Sequence, residues 1–421
     1  MMSACVDRPV GIETPMTAAD SAGLAVARLM VTDFRSYARA VVDLGEAVDP
    51  ATPVVLTGAN GAGKTNLLEA VSYLSSGRGL RRARLGDVTR QGAPGGWAVA
   101  ARLATPDGMV DIGTGLAAAP AAASAVDGED GEEDAAASTA RRVVRLNGVP
   151  ATGPAALAEV CAVTWATPAM DRLFIEGASG RRRFLDRLAL ALGADHARQL
   201  AGYERAMRER TRLLTNRGGA ADASWLAALE ARMAEHGLAI AAARRETVAR
   251  LAAQVADTDD GPFPRADLAI AGQLEEALDG SPALAVEEDF RARLADLRRR
   301  DSEAGRATEG PHRSDLKVVH APKAMPAELC STGEQKALLI GLVLAHARAR
   351  ADLTGVAPIL LLDEIAAHLD ASRRAALFEQ LRGLGSQAWL TGTDRALFAS
   401  LDGQACFFTV ADATVTREGK T

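Results

Sequence analysis

The chain has 421 residues, 48% of them hydrophobic and 24% charged, enough for two or three lobes around a sizeable core and ordinary for a soluble globular protein. Its four cysteines (Cys5, Cys161, Cys330 and Cys406) are scattered with no Cys-x-x-Cys pair, which argues against a disulfide framework or a zinc site; no apolar run approaches the roughly 18 residues of a membrane helix, and no basic-then-apolar leader opens the chain, so a cytoplasmic protein with no membrane partner is expected. The net charge of −6 is local: residues 117–140 hold six acids and no basic residue, and the remainder is neutral with arginine clusters, compatible with a nucleic-acid partner without requiring one.

In chain order, residues 1–24 read as a loose tail, with Met16 an alternative start. Residues 27–31 and 53–57 read as strands, the second buried. Residues 64–76 read as a helix with Leu67, Leu68, Val71 and Leu74 on one face. Residues 97–116 and 141–147 alternate as a strand pair, and the Ala/Gly/acid stretch 117–140 between them reads as a disordered insert. From about 170 to 300 the period is helical, and the Ala-rich run from Trp225 to Ala256 is long enough to pair with a neighbouring helix. Residues 331–350 read as another helix, and 358–363 as a buried parallel strand ending in acids. The divisions drawn are 25–168 and 304–421 as two halves of one lobe, and 169–303 as a helical lobe.

Three motifs carry chemistry. Residues Gly58, Ala59, Asn60, Gly61, Ala62, Gly63, Lys64 and Thr65 fit G-x-x-x-x-G-K-[ST] between a strand and a helix, with Asn66 next. Such a loop turns backbone N–H groups inward around ATP phosphates. Lys64 reaches the terminal phosphates, and the Thr65 hydroxyl ligates Mg2+. In ILLLDE (359–364) a buried strand delivers Asp363 to the metal shell and Glu364 to the attacking water. In CSTGEQK, Ser331, Thr332, Gly333 and Glu334 open a helix. Ser331 and Glu334 fit a capping box, and the same hydroxyl and free N–H groups fit a second anion site; the strand that follows favours the latter.

The order of phosphate loop, Ser-x-Gly-Glu, acidic strand and Leu369-Asp370 resembles the ABC-type ATPase head. In that family the signature of one subunit caps ATP held by another, and the Asp370 position helps fix the second subunit. Finer matches (TDFRSYARA at 32–40, GKTNLLEAVSYLSSGRGLR, GASGRRRFLDRL at 177–188, GPHRSDL at 310–316 and CSTGEQK) resemble the RecF family of bacterial replication and repair proteins across roughly residues 25–410. The resemblance implies an α/β fold: an ABC-type P-loop ATPase head with an inserted helical second lobe. It also implies ATP-dependent homodimerisation, slow DNA-stimulated hydrolysis, binding at single-strand/double-strand junctions of gapped DNA, and work with RecO and RecR to load recombinase. A transporter ATPase subunit and a chromosome-maintenance-type head are the rivals; the first wants a Gln and a His that this chain lacks, the second hundreds of residues of heptads.

The sequence departs from the family pattern at Cys330, where Leu is common, and at Ala169-Met170-Asp171 after Pro168, where a Pro-Glu-Asp/Gly-like segment is usual. Arg35 and Tyr37 stand where related heads approach the adenine, or form an ordinary turn. Arg78, Arg81, Arg82 and Arg84 face DNA phosphates or only solvent. Arg181, Arg182 and Arg183 open a helix against its dipole, which favours an ion pair slightly over an acidic partner. His312 and Arg313 lie near the nucleotide or the lobe junction, or serve a turn. Thr391 or Thr393 is a weak candidate for the γ-phosphate side.

Overall fold

A computed structural model describes residues 23–116, 141–193, 195–217, 222–257 and 261–419. The tail 1–22 and the acidic stretch 117–140 lie outside the described residues.

Strand β1 (Ala25–Phe34) turns through Arg35 and Ser36 into β2 (Tyr37–Asp43), its antiparallel partner. Strand β3 (Val54–Thr57) runs into the glycine loop and helix α1 (Lys64–Ser72). The sequence extends this helix to 76; it ends at Ser72, whose hydroxyl bonds back to the Glu69 carbonyl, and Gly77 and Gly79 then take positive φ. Strands β4 (Ala98–Thr105), β5 (Gly108–Leu116), β6 (Arg142–Leu146) and β7 (Val149–Pro150) follow. The expected pair over 97–116 and 141–147 is therefore three strands, because 97–116 is itself a hairpin. The first sheet is antiparallel in the order β2-β1-β4-β5-β6-β7.

Strand β8 (Val163–Ala166) enters the second sheet, and helices α2 (Ala178–Leu192), α3 (His196–Arg217) and α4 (Ala223–Ala256) follow. The span expected to be helical carries a strand, β9 (Ala266–Ala271), before α5 (Gln273–Gly280), α6 (Ala283–Asp296) and α7 (Arg298–Ala304). β9 is set by pairing rather than local period: it lies antiparallel to β10 (Asp315–His320), which also holds the two-residue β11 (Met325–Pro326). Between these helices Arg210, 1% exposed, bridges Glu230 at 3.0 Å and Asp301 at 2.6 Å and donates to the Leu294 carbonyl. This buried charge is fully compensated and ties α3 to α4 and α7.

Helix α8 (Thr332–Thr354), β12 (Ile359–Leu362), α9 (Ala371–Gly383), β13 (Ala388–Gly392), β14 (Cys406–Ala411) and β15 (Thr414–Arg417) complete the chain. The second sheet runs β15-β14-β3-β13-β12-β8, parallel except at β15. Its strands β3, β13, β12 and β8 are buried on both faces. Val55, Leu360, Leu362 and Leu390 join the core under α8 and α9, while Val54, Leu56, Leu361 and Trp389 join a second core against the antiparallel sheet. That second core centres on Phe34, Tyr73 and Trp97, with ring centroids 4.8–5.9 Å apart.

His346 of α8 is fully buried beneath β8. Its Nε2 bonds the Leu188 carbonyl at 3.0 Å and its Nδ1 the Thr164 hydroxyl at 3.1 Å, an arrangement that suits the neutral ring. Burial pushes its pKa from 6.5 down to about 4. The unfolded chain therefore takes up a proton first as pH falls. The stability contributed by the neutral ring is complete above about 6.5 and declines toward pH 4, by about 2 kcal/mol at pH 5. His346→Leu is expected to lower the Tm at pH 7.5 and to flatten its fall between pH 6.5 and 4.5; an unchanged slope by calorimetry would refute this.

Candidate active site

The parallel sheet brings the motifs together because β13 lies between β3 and β12. The glycine loop at the end of β3 needs glycine at two points. Gly58 (φ 150°) lies so close to the Val410 carbonyl that a Cβ would stand 2.1 Å from it, and at Gly63 (φ 114°) a Cβ would stand 2.5 Å from the Tyr37 hydroxyl. The loop tip, Ala59 to Gly61, is exposed. Helix α1 then starts at Lys64 with no side-chain cap, so its first N–H groups face the loop's own hollow. The Lys64 ammonium is buried and donates to the Gly58 carbonyl at 2.7 Å and the Ala59 carbonyl at 2.9 Å. Burial holds its pKa below the usual lysine value, against the pull of Glu364 and Asp363.

Thr65, the second helical residue, donates its hydroxyl to Asp363, with both carboxylate oxygens 3.0 Å away. Asp363 follows β12, is 5% exposed and has no ion-paired cation among the described residues. Thr391 on the intervening β13 donates to Asp363 Oδ1 at 2.7 Å and accepts from the Glu364 N–H at 2.8 Å. Glu364 sits at φ 53°, left-handed for a non-glycine residue, and its side chain is partly exposed beside the loop. Of the two threonines weighed from sequence, Thr391 is the one joined to these acids; Thr393 is exposed.

Arg35, also left-handed (φ 54°), reaches Glu69 of α1 with two bonds of 2.7 and 2.9 Å and the Asp87 carbonyl at 2.8 Å. The Glu69 carboxylate is wholly buried, and Arg81 bonds it at 2.5 Å and Asn66 at 2.8 Å. Arg81 is thus engaged in the fold, whereas Arg78, Arg82 and Arg84, also exposed, have no acidic partner among the described residues. Sequence reading passed over Glu69, although a carboxylate inside the apolar run of α1 was the available signal.

At the start of α8, Ser331, Thr332 and Gly333 are exposed, and the capping box is formed. Glu334 Oε2 accepts from the Ser331 N–H at 2.9 Å and its hydroxyl at 2.9 Å, and Lys323 holds the other oxygen. These bonds, Lys323 first, pull Glu334 down to about 2. Among the described residues no hydrogen bond joins 331–334 to 58–66 in the same chain. Two neighbours escaped the sequence reading: buried Lys336 pairs with Asp171 at 3.0 Å, and the Gln335 amide donates to the Cys330 carbonyl at 2.9 Å. Asp370 caps α9 by accepting from the Arg373 N–H at 2.8 Å. Arg181 pairs bidentately with Asp315 at 2.8 and 2.9 Å, Arg182 donates to the Ser314 carbonyl, and Arg183 is exposed. His312 bonds Tyr203 and the Ala307 carbonyl in the helical region.

A glycine loop whose Thr65 bonds the acidic strand end, a threonine on the strand between them that bonds both acids, and a capped Ser-x-Gly-Glu helix start define the head of an ABC-type ATPase. No family model matches the chain. It is 54% identical over 391 residues to the DNA replication and repair protein RecF of Mesorhizobium japonicum, covering 93% of this chain and 97% of that one. It is 51% identical to the proteins of that name from Rhizobium johnstonii (93% and 98% covered) and Brucella suis (93% and 96%). A solved structure of the recombination mediator protein RecF-ATP of the RecFOR pathway superposes with a TM-score of 0.77 at 20% identity, over 94% of this chain and 98% of that one. The chain belongs to the RecF family of DNA replication and repair proteins.

Thr391→Val removes the acceptor of the Glu364 N–H and a donor to Asp363. Denaturant unfolding is expected to show a loss of about 1–3 kcal/mol, with Thr391→Ser close to wild type; equal stability of the Val variant would remove this threonine from its organising place.

Proposed function

We propose that the protein is an ATP-dependent DNA-binding ATPase of recombinational repair and replication restart. In this reading it binds single-strand/double-strand junctions at gaps and helps load recombinase with RecO and RecR. The observation that carries the ATPase reading is the meeting of Thr65 with Asp363 across 298 residues, beside an uncapped helix start and a buried lysine. The donor set fits magnesium: one hydroxyl and one unpaired carboxylate are what a metal shared with a triphosphate asks of the protein. Bound magnesium would supply charge neutralisation on the phosphates. Lys64 would exchange its two loop carbonyls for the terminal phosphates, whose greater negative charge is the stronger acceptor. The N–H groups of α1 would orient the phosphates, and Glu364 would orient and deprotonate the attacking water.

Ser331, Thr332 and Gly333, exposed and unbonded to their own loop, would cap the nucleotide of a second copy, with Asp370 nearby fixing the pair. ATP would then join two chains and hydrolysis, slow and stimulated by DNA, would part them. The split into a head made of 25–168 and 304–421 and a mostly helical lobe at 169–303 belongs to the same proposal. The DNA, RecO and RecR elements rest on membership of the family.

Lys64→Ala is expected to abolish ATP-driven dimerisation in analytical ultracentrifugation, and unchanged dimerisation would sink the site assignment. Glu364→Gln is expected to bind ATP, to lose at least about a hundredfold in turnover and to accumulate as the ATP-bound dimer. Wild-type turnover by that variant would remove Glu364 from its role.

A further inference from the structure

Two cavities lie end to end along α3. The larger, about 630 Å³, opens between residues 75–82 and the faces of α2 and α3; the smaller, about 460 Å³, opens between α3 and residues 305–313. Arg208 lines both, so they form one groove. It follows α3 from Ala197 to Thr215, roughly 27 Å at the helical rise.

Its charge is one-sided. The smaller cavity is lined by Arg208, Arg212, Arg306 and Arg313 and by no acid. The larger adds Arg78, Arg82, Arg183 and Arg187 against Glu176, Asp186 and Glu204. Asp186 is already held by Arg244 at 2.8 and 3.0 Å and by His196 at 3.0 Å. Glu176 lies 3.4 Å from Arg172, and Glu204 3.5 Å from Arg208. Among the described residues, Arg78, Arg82, Arg183, Arg212, Arg306 and Arg313 have no acidic partner. Arg181, Arg210 and Arg244, by contrast, are closely paired with acids.

Arg187 marks the groove as built rather than incidental. Its guanidinium lies 4.5 Å from the Trp165 ring and 5.2 Å from the Phe184 ring. It donates weakly to the Trp165 carbonyl at 3.3 Å, and its buried Nε has no acceptor. Burial, with Arg82 adding repulsion, pushes it down to about 9. The segment bearing Arg78 and Arg82 is fixed by Arg142, which donates to the Gly77 carbonyl at 2.7 Å, the Ser75 carbonyl at 3.2 Å and the Tyr73 carbonyl.

We propose that this groove is a track for a nucleic-acid phosphate backbone, gripped by Arg183, Arg208, Arg212 and Arg313 and closed on one side by Arg78 and Arg82. A repeating anion is the ligand that matches repeated forked donors along a helix, all but Arg208 without an acidic partner among the described residues. The inference rests on the DNA-binding reading above and adds its location.

The test uses the full chain with ATP and a fluorescein-labelled gapped duplex, read by anisotropy between 50 and 200 mM NaCl. R183E/R212E/R313E is compared with R39E/R232E/R291E, the same charge change at exposed arginines outside the groove. The groove variant is expected to bind at least about tenfold more weakly, with a salt slope smaller by about 2 to 3, while the control stays within about threefold of wild type. ATP binding retained in both reports the fold. If charge reversal unfolds the chain, R183Q/R212Q/R313Q replaces it, with at least about a threefold loss expected. Equal loss in groove and control variants overturns the track and leaves the DNA reading standing. A wild-type chain that ignores the duplex overturns both. A labelled polyglutamate peptide that binds the groove more tightly than the duplex overturns the nucleic-acid assignment in favour of an acidic protein partner.

Discussion

At the candidate active site the glycine loop and the acidic strand end meet on one carboxylate. Asp363 accepts from the hydroxyl of Thr65, 298 residues earlier, and from that of Thr391, on the strand between them. Only a parallel sheet in which β13 separates β3 from β12 can make this arrangement, because all three strands then end on the same edge. Thr391 does two things with one oxygen. It donates to Asp363, and it accepts the Glu364 N–H, which helps hold Glu364 in the left-handed region. The two acids of ILLLDE are thus fixed in different directions, one turned to the loop and one partly to solvent, and that division suits one for a metal and the other for water.

The cations divide by chemistry. Lysine is rare among the described residues: Lys64 lies in the glycine loop, Lys323 and Lys336 engage Glu334 and Asp171 around the start of α8, and Lys317 meets Asp315. A compact ammonium on a flexible stem can change partners without moving backbone. Arginine does the fixed work, because its planar fork locks two acceptors at once. Arg35 and Arg81 fasten Glu69, Arg142 fastens three carbonyls after α1, and Arg210 fastens the helices. Arginine clusters that look alike in sequence are therefore unequal. Arg81 is held by the core, while Arg78, Arg82 and Arg84 within a few residues are not.

The glycine loop, the acidic strand end and the capped helix start were legible because each is written in consecutive residues, and the loop's Gly58 and Gly63 have a fixed backbone purpose. The sequence reading also reached two of the parallel strands, β3 and β12, whose continuous apolar runs reflect burial on both faces, but not β8, β13 or β14. It placed α1 too long, since Leu74 is buried from a turn and mimics the next helical position. It missed β9, a six-residue strand whose only reason to exist is β10, some 45 residues later. Glu69, Lys336 and Asp171 were beyond it for the same reason. A buried charge is identified by its partner, and those partners lie 12 to 165 residues away. The departure at Asp171 looked like a lost family feature, whereas it supplies the partner of a buried lysine in the signature helix.

Ser331 shows how two readings of one motif can both be physical. Its hydroxyl and N–H are occupied by the carboxylate of its own Glu334, and Lys323 steadies that carboxylate. Held at about 2, the carboxylate stays charged at any physiological pH. It therefore occupies the start of α8 as an anion already, where the helix dipole and the free N–H groups favour negative charge. On the reading in which this helix start meets the phosphate of a second copy, Glu334 is the group displaced, and Lys323 is the cation that can follow the carboxylate outward. The capping box then prevents the exposed N–H groups from binding weak anions, and only a ligand of higher charge density would open it.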